Sequence, residues 1–241
     1  MKKILLFYCI SQGDILLLCM EGDVKKMKAC IFDLDGTLTD TLESLAYSVK
    51  ATLREMGLSE ITDEQCKSFV GNGARYLIDH AIRAAGDPEG KRIEEGMEVY
   101  GRIFDANCTY RVTPYEGIPE VLKAMKDSGL KLAVLSNKPH RQTVKVVKEI
   151  FGEGVFDYVS GQQEGIRRKP EPDGIWKIVE TLGVNREDCL YVGDSEVDAL
   201  TGRNAGVKTV CVSWGFRTKE ELKAAEAEYI IDKAEELLEF V

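Results

Sequence analysis

Asp33-Leu34-Asp35-Gly36-Thr37-Leu38-Thr39-Asp40 follows directly on the apolar run Ala29-Cys30-Ile31-Phe32. Four apolar residues without alternation are the pattern of a strand buried on both faces, as in a parallel sheet covered by helices. In such a sheet ligands bind beyond the C-terminal strand ends, where this acidic segment falls. Two carboxylates stand here with one residue, Leu34, between them. Asp33 and Asp35 can hold different roles, one attacking and one moving protons. Gly36 permits a tight turn that lets amides approach an anion. The bland alternative is an acidic turn, since Asp and Gly are common turn residues. Chance decides against it: Asp-x-Asp-Gly-Thr-Leu should arise in only ~10⁻⁴ of chains of this length.

Outward from this segment, strand-like runs at residues 132–135, 189–192 and 208–212, with weaker ones at 156–159 and 229–231, alternate with helical periods. The helices are expected at 118–126, 141–151, 173–182, 196–205 and 220–227. This alternation predicts an α/β fold, a doubly wound parallel sheet with a Rossmann-type core. Residues 42–113 break the rhythm. Leu42, Leu45, Val49, Leu53 and Met56 keep one helical face, and Thr62 with Gln65 forms a capping box. Helical periods continue through Leu77, Ile78, Ala81 and Ile82, then Ile93, Met97, Tyr100 and Phe104, with no credible strand. The expected organisation is an N-terminal extension of unknown role at 1–26, a core of 27–41 and 114–241, and a small α-helical cap domain at 42–113. Its hinges are expected at 40–44 and 112–117, where Pro114 and Gly117 punctuate the chain.

Bulk properties bound the partners. The 241 residues are 44% hydrophobic and 30% charged, enough for a sizeable core without disulfides. A net charge of −9 repels polyanions, and no basic stripe offsets it, so no nucleic-acid partner is expected. The seven cysteines are odd in number and form no CxxC, which fits free thiols in a reducing cytoplasm. Two histidines leave little material for a histidine metal cluster or a Ser-His-Asp triad. Residues 1–10 look briefly like a signal peptide, but Ser11-Gln12-Gly13-Asp14 breaks the run and no cleavage site follows. Neither 4–10 nor 15–20 is long enough to span a bilayer, so no membrane partner is expected. Two short apolar strands, or a start nearer Met27, both account for this stretch.

Three later segments carry chemistry, each after an expected strand. Ser136-Asn137-Lys138-Pro139 offers a hydroxyl and an amide donor, although Ser-Asn at a strand end is also ordinary turn chemistry. Arg167-Arg168-Lys169-Pro170-Glu171-Pro172 is a basic run whose Pro-x-Pro stiffens the loop and would fix Lys169 in place. Val192-Gly193-Asp194-Ser195-Glu196-Val197-Asp198 puts one acid at the strand end and another on the first helical turn, where N-capping by Asp194 or Ser195 is the equal alternative.

Together and in this order, the four segments resemble the haloacid dehalogenase superfamily, over nearly the whole chain from Lys28 onward. The resemblance implies that Asp33 is a nucleophile and Asp35 a general acid/base. It gives Ser136 and Lys169 the transferring phosphoryl group, with Thr37 and Asn137 among the substrate contacts. Mg²⁺ would rest on the Asp33 carboxylate, the Asp35 carbonyl and Asp194, while Asp198 orients Lys169 or a metal-bound water. The physics is consistent: a carboxylate approaches a phosphate dianion only if cations neutralise the repulsion. Phe69-Val70-Gly71-Asn72-Gly73, the Ser136–Pro139 segment and Val212-Ser213-Trp214-Gly215-Phe216-Arg217 are similar to the phosphoglycolate phosphatase group. That makes 2-phosphoglycolate the leading substrate, with Gly71, Asn72 and Arg75 as candidate cap contacts. A phosphosugar mutase, a pyrophosphatase or nucleotidase, and a non-catalytic phospho-ligand binder are the alternatives. The expected state is a cytoplasmic monomer or homodimer.

Overall fold

The computed structural model describes residues 5–11, 14–20 and 26–241. Strands β1 (Leu5–Ser11) and β2 (Asp14–Met20) pair antiparallel, Leu5 opposite Met20 through Ser11 opposite Asp14, so two short strands do occupy the extension. The expectations for residues 1–4, and for Cys9 and Cys19 as free thiols, lie outside the described residues and side chains. The other five cysteines are free and buried. Among the described residues no helix is long and apolar enough to cross a membrane.

A six-stranded sheet forms the centre. Its strands are β3 (Ala29–Phe32), β6 (Lys131–Pro139), β7 (Tyr158–Gln162), β8 (Cys189–Gly193), β9 (Lys208–Val212) and β10 (Tyr229–Ile231). All run parallel, in the order β10-β9-β8-β3-β6-β7. The chain leaves β3 first toward β6 and β7, then crosses back to β8. The strand order reverses at β3, and a ligand crevice opens beside such a switch point. Every residue of β3 and β8 is buried, as their unbroken apolar runs predict. Side chains alternate faces, and both faces are covered. Cys30, Phe32, Leu132 and Val134 pack with helices α5 (Ile118–Asp127) and α6 (His140–Phe151). Ala29, Ile31, Ala133 and Leu135 pack on the other face with α7 (Asp173–Leu182). A Leu or Ile cut to Ala in this layer costs ~2–5 kcal/mol. Helices α8 (Glu196–Ala205) and α9 (Lys219–Ala224) complete the wrapping.

Four helices leave the sheet after β3: α1 (Leu42–Glu55), α2 (Asp63–Phe69), α3 (Ala74–Ala84) and α4 (Ile93–Asn107). The Thr62–Gln65 capping box is present at the start of α2. Leu45, Val49, Leu53, Ile78, Ile82 and Phe104 form one buried cluster continuous with the sheet's core. The chain enters and returns through a two-stranded antiparallel ribbon, β4 (Thr39–Asp40) with β5 (Thr113–Pro114).

Two boundaries differ from expectation. β6 runs on through Ser136-Asn137-Lys138-Pro139, with a register shift against β7 between Leu135 and Pro139. β7 itself lies two to three residues later than the 156–159 run, because its placement follows pairing with β6, not its own propensity.

Candidate active site

The switch point gathers the strand-end segments. The amide of Asp33 donates to Val192 O at 2.8 Å, which ties the end of β3 to the end of β8. Gly36, at φ +86°, turns the chain beneath Asp194; a Cβ there would come within 2.3 Å of Asp194 Oδ2. Gly215 is equally confined, its Cβ position 2.4 Å from Gly36 O and from Asp194 Cβ. Asp194 is thus cradled between two glycines that no side chain can replace without a shift. Thr37 Oγ1 donates to Asp194 Oδ1 at 3.2 Å, and the Phe216 amide donates to Oδ2 at 2.7 Å.

Ser195 caps α8 through a capping box with Asp198. Capping and site chemistry are therefore shared out: Ser195 serves the helix, and Asp194 is free to face the crevice. Asp198 is fully buried and saturated. Its Oδ1 accepts from Lys169 Nζ at 2.7 Å and Tyr191 Oη at 2.6 Å, and its Oδ2 from Ser195 Oγ at 2.6 Å and two amides at 3.2 Å. Lys169 Nζ also lies 2.8 Å from Asp33 Oδ1. That contact pairs the two charges, and Oδ1 is buried with no well-aligned donor.

Charge follows from this geometry. Burial pushes the Asp33 carboxyl up to about 7 even though Lys169 pulls it down. Burial, then the Asp198 and Asp33 charges, hold Asp194 well above the usual carboxylate range. Asp198 is opposed by burial, but Lys169 and the hydrogen bonds from Ser195 and Tyr191 outweigh it and hold the carboxyl low. Burial works against charged Lys169 too, and Asp198 and Asp33 more than offset it. Asp198 and Lys169 neutralise each other, so Asp33 and Asp194 are left short of positive charge.

Carboxylate oxygens of Asp33, Asp194 and Asp198 lie within 4.8 Å of one another. A divalent cation fits there. The donors are hard oxygens, Asp33 Oδ1 has no aligned donor, and Asp194 retains free lone pairs. Asp198 is the weakest member of this trio, because five donors already occupy both of its oxygens.

Ser136 and Asn137 stand on the extended end of β6, both buried. Ser136 Oγ accepts from the Lys138 amide at 3.2 Å and keeps its own hydrogen to donate into the cleft it lines. Asn137 is a staple instead: its Nδ2 donates to Gly71 O and Lys169 O, both at 3.0 Å, and its Oδ1 accepts from Lys169 N at 2.9 Å. Its amide, expected to contact substrate, is spent on protein. Thr37 is fully buried beneath Asp194 and does not line the cleft, and neither does Asn72. Arg75 is exposed and ion-paired with Glu94, away from the cleft, because its position on α3 faces solvent. Gly71 does reach the cleft wall.

Sequence reasoning passed over three features. Lys138 is buried, its ammonium paired with Asp35. Arg217 lines the cleft and donates to Val70 O at 2.9 Å and Glu196 Oε2 at 2.8 Å, clasping the α2–α3 turn to the sheet. Leu45, Val70, Leu77, Tyr100 and Phe104 close the far side of the cleft with an apolar wall. These pairings join residues some 100 to 150 positions apart, and no local pattern announces them.

This fold and site are shared with known proteins. A family model for haloacid dehalogenase-like hydrolases matches residues 30–212, and the chain belongs to that family. Within it the chain is a hydrolase of the phosphatase group. A phosphoglycolate phosphatase of Aquifex aeolicus is 35% identical over 79% of this chain and 86% of its own length. One of Pseudomonas savastanoi pv. phaseolicola is 30% identical over 89% and 79%. The crystal structure of a predicted phosphoglycolate phosphatase from Haemophilus somnus superposes with a TM-score of 0.83 at 25% identity, covering 91% of this chain and 99% of the other. CbbY from Rhodobacter sphaeroides, solved with phosphate, shares the fold at a TM-score of 0.75 and 22% identity, over 88% and 96%.

Proposed function

We propose that this protein hydrolyses a small phosphorylated metabolite, with 2-phosphoglycolate the leading substrate, through a phosphoryl-aspartate formed on Asp33. The observation that carries the reading is the Lys169 ammonium, 2.8 Å from Asp33 and 2.7 Å from Asp198, beside the buried Asp33–Asp194 pair. Asp33 attacks phosphorus in line, the ester oxygen leaves, and water then breaks the acyl phosphate to return the carboxylate and free phosphate. Asp35, two residues on, gives a proton to the leaving oxygen and takes one from the attacking water. Lys169 and the Ser136 hydroxyl hold the equatorial oxygens. Mg²⁺ suits the hard-oxygen site, where the Asp33 and Asp194 carboxylates and the Asp35 carbonyl would hold it, and when bound it supplies charge neutralisation for the incoming dianion. Asp198 acts through Lys169, which it anchors.

The domain division belongs to the same reading: residues 27–41 and 114–241 form the catalytic core, and 42–113 a cap hinged on the β4–β5 ribbon. The apolar wall of α1, α3 and α4 narrows the cleft opposite the reacting groups and favours a short substrate. Relatives named phosphoglycolate phosphatase support the substrate choice. A Mg²⁺-dependent screen of phosphorylated metabolites, read as free phosphate, tests it. Phosphate release from 2-phosphoglycolate in preference to sugar phosphates is the expected result. A requirement for a bisphosphate with no free phosphate would point instead to a mutase.

A further inference from the structure

The chemistry proposed for Asp33 and Asp35 gives no task to Lys138, although its side chain is only 2% exposed. It is one of three cations lining the cleft, with Lys169 and Arg217. Lys169 is held between two carboxylates. Arg217 is pinned at the wall by Nε and Nη2, which donate to both oxygens of Glu196 and to Val70 O, with Nη1 unpaired among the described residues. Lys138 is the cation bonded to Asp35, the group that would handle the leaving oxygen's proton. Among the described residues Asp35 alone accepts a hydrogen bond from its ammonium, and the Phe104 ring centroid lies 5.2 Å away. An ammonium carries three N–H donors, so donor capacity remains toward the cleft.

We infer that Lys138 is a specificity-determining residue that binds a carboxylate on the leaving-group side of the substrate. This rests on the proposed function and names the chemical class that the site selects. Asp35 touches the leaving oxygen in that reading, and Lys138 is bonded to Asp35. The ammonium therefore lies within about two hydrogen-bond lengths, ~5–6 Å, of the ester oxygen. A carboxylate borne on the same carbon as that oxygen covers roughly half this distance and ends one hydrogen-bond length from Nζ. Longer phosphorylated acids overshoot, and phosphorylated alcohols offer no anion. Charge points the same way. Asp33, Asp35, Asp194 and Asp198 face Lys169 and Lys138, with Arg217 matched by Glu196, so a divalent cation brings the cleft to balance. Asp35 and the substrate carboxylate then share the one ammonium not committed to the phosphoryl group. Phe104, on α4, covers this ammonium from the cap side and keeps water from screening the pair.

The test compares 2-phosphoglycolate with 2-hydroxyethyl phosphate, the same ester with its carboxylate replaced by hydroxymethyl, in the Mg²⁺-loaded full chain. Wild-type protein is expected to prefer the acid in kcat/KM by at least ~30-fold. Lys138→Met should bring the two esters within a few-fold of each other, mainly by raising KM for the acid, and Lys138→Arg should retain most of the preference. Equal losses for both esters in Lys138→Met, or a preference it leaves unchanged, would overturn the assignment. Binding of 3-phosphonopropionate and 3-hydroxypropylphosphonate to the wild type, followed by calorimetry, decides the matter even if the methionine variant does not fold; equal affinities sink the idea. A wild-type protein that hydrolyses neither ester refutes the proposed reaction, and the binding pair still judges Lys138.

Discussion

The strand ends of the sheet and the helical wall facing them make one cleft but are built by different rules. At the strand ends, each polar group is fixed by backbone that cannot move independently. Asp33 and Asp194 are tied through the β3–β8 ladder, and Asp194 is wedged between Gly36 and Gly215. On the wall, apolar side chains of α1, α3 and α4 make the surface, and two donors, Arg217 and Asn137, hold the turn at 70–71 to the sheet. The first region is rigid and charged. The second is closed by a few replaceable bonds. Chemistry is expected to fail all at once when the first is altered and to change by degrees when the second is.

Replacing Asp33 with Asn should cost turnover ~10⁴-fold or more while the protein stays folded, as phosphate release beside circular dichroism will show. Substantial remaining turnover would mean that the strand-end carboxylates are not the reacting groups. Lys169→Met should come next, because it strands Asp198 as a buried charge; a stability loss of ~3–5 kcal/mol in denaturant titration is expected together with loss of activity. Metal addition bears on the same region. Magnesium at 100 times its dissociation constant should stabilise the protein by ~2.7 kcal/mol in thermal melts, and Asp33→Asn should blunt that gain.

The pH dependence has a definite sign. Burial raises Asp33 from 3.8 to about 7, so the metal-free folded state keeps a proton that the unfolded chain has already lost. Metal-free stability should therefore fall as pH rises from 4 through 7, and the stabilisation by magnesium should grow over the same window. A metal-free protein whose stability rises with pH there would contradict the charge balance described for the site.

On the wall, effects shrink. Arg217→Met should cost only ~10-fold in kcat/KM by loosening the turn at Val70, with both parameters changing together. Arg75→Ala should stay within ~0.5 kcal/mol of wild type in stability and leave activity unaltered, since its exposed pair with Glu94 lies outside the cleft. A strong effect at Arg75 would mean that the helices rearrange around substrate.

The same contrast separates what could be read from the sequence from what could not. β3, β8 and β9 are buried on both faces, so their runs of consecutive apolar residues identified them almost to the residue. Asp33 and Asp194 could be placed at the crevice because each follows such a run, whereas Lys169 stands in a loop beyond β7 and was picked out only by its Pro-x-Pro context. The continuation of β6 through Ser136-Asn137-Lys138-Pro139 was not. Polar residues with a proline look like a turn, and only their burial against the helical layer and β7 makes them extended chain. α9 ends at Ala224, earlier than its helical period suggested, as the chain turns through Glu226 at φ +55°. Arg75 was misplaced because helical spacing gives neighbours along one helix but not which face meets the sheet. Lys138 and Arg217 escaped notice since their partners, Asp35 and Val70, are distant in the chain and only the fold brings them near.

The ribbon of β4 and β5 has a consequence of its own. Thr39 faces Pro114 and Asp40 faces Thr113, so the four helices start and finish at the same suture in the fold. Nothing in the sheet's hydrogen-bond ladder passes through them. The chain thus joins the four helices to the sheet at a single seam, and every other tie between them among the described residues, such as those from Asn137, Arg217, Phe104 and the shared core, is made by side chains.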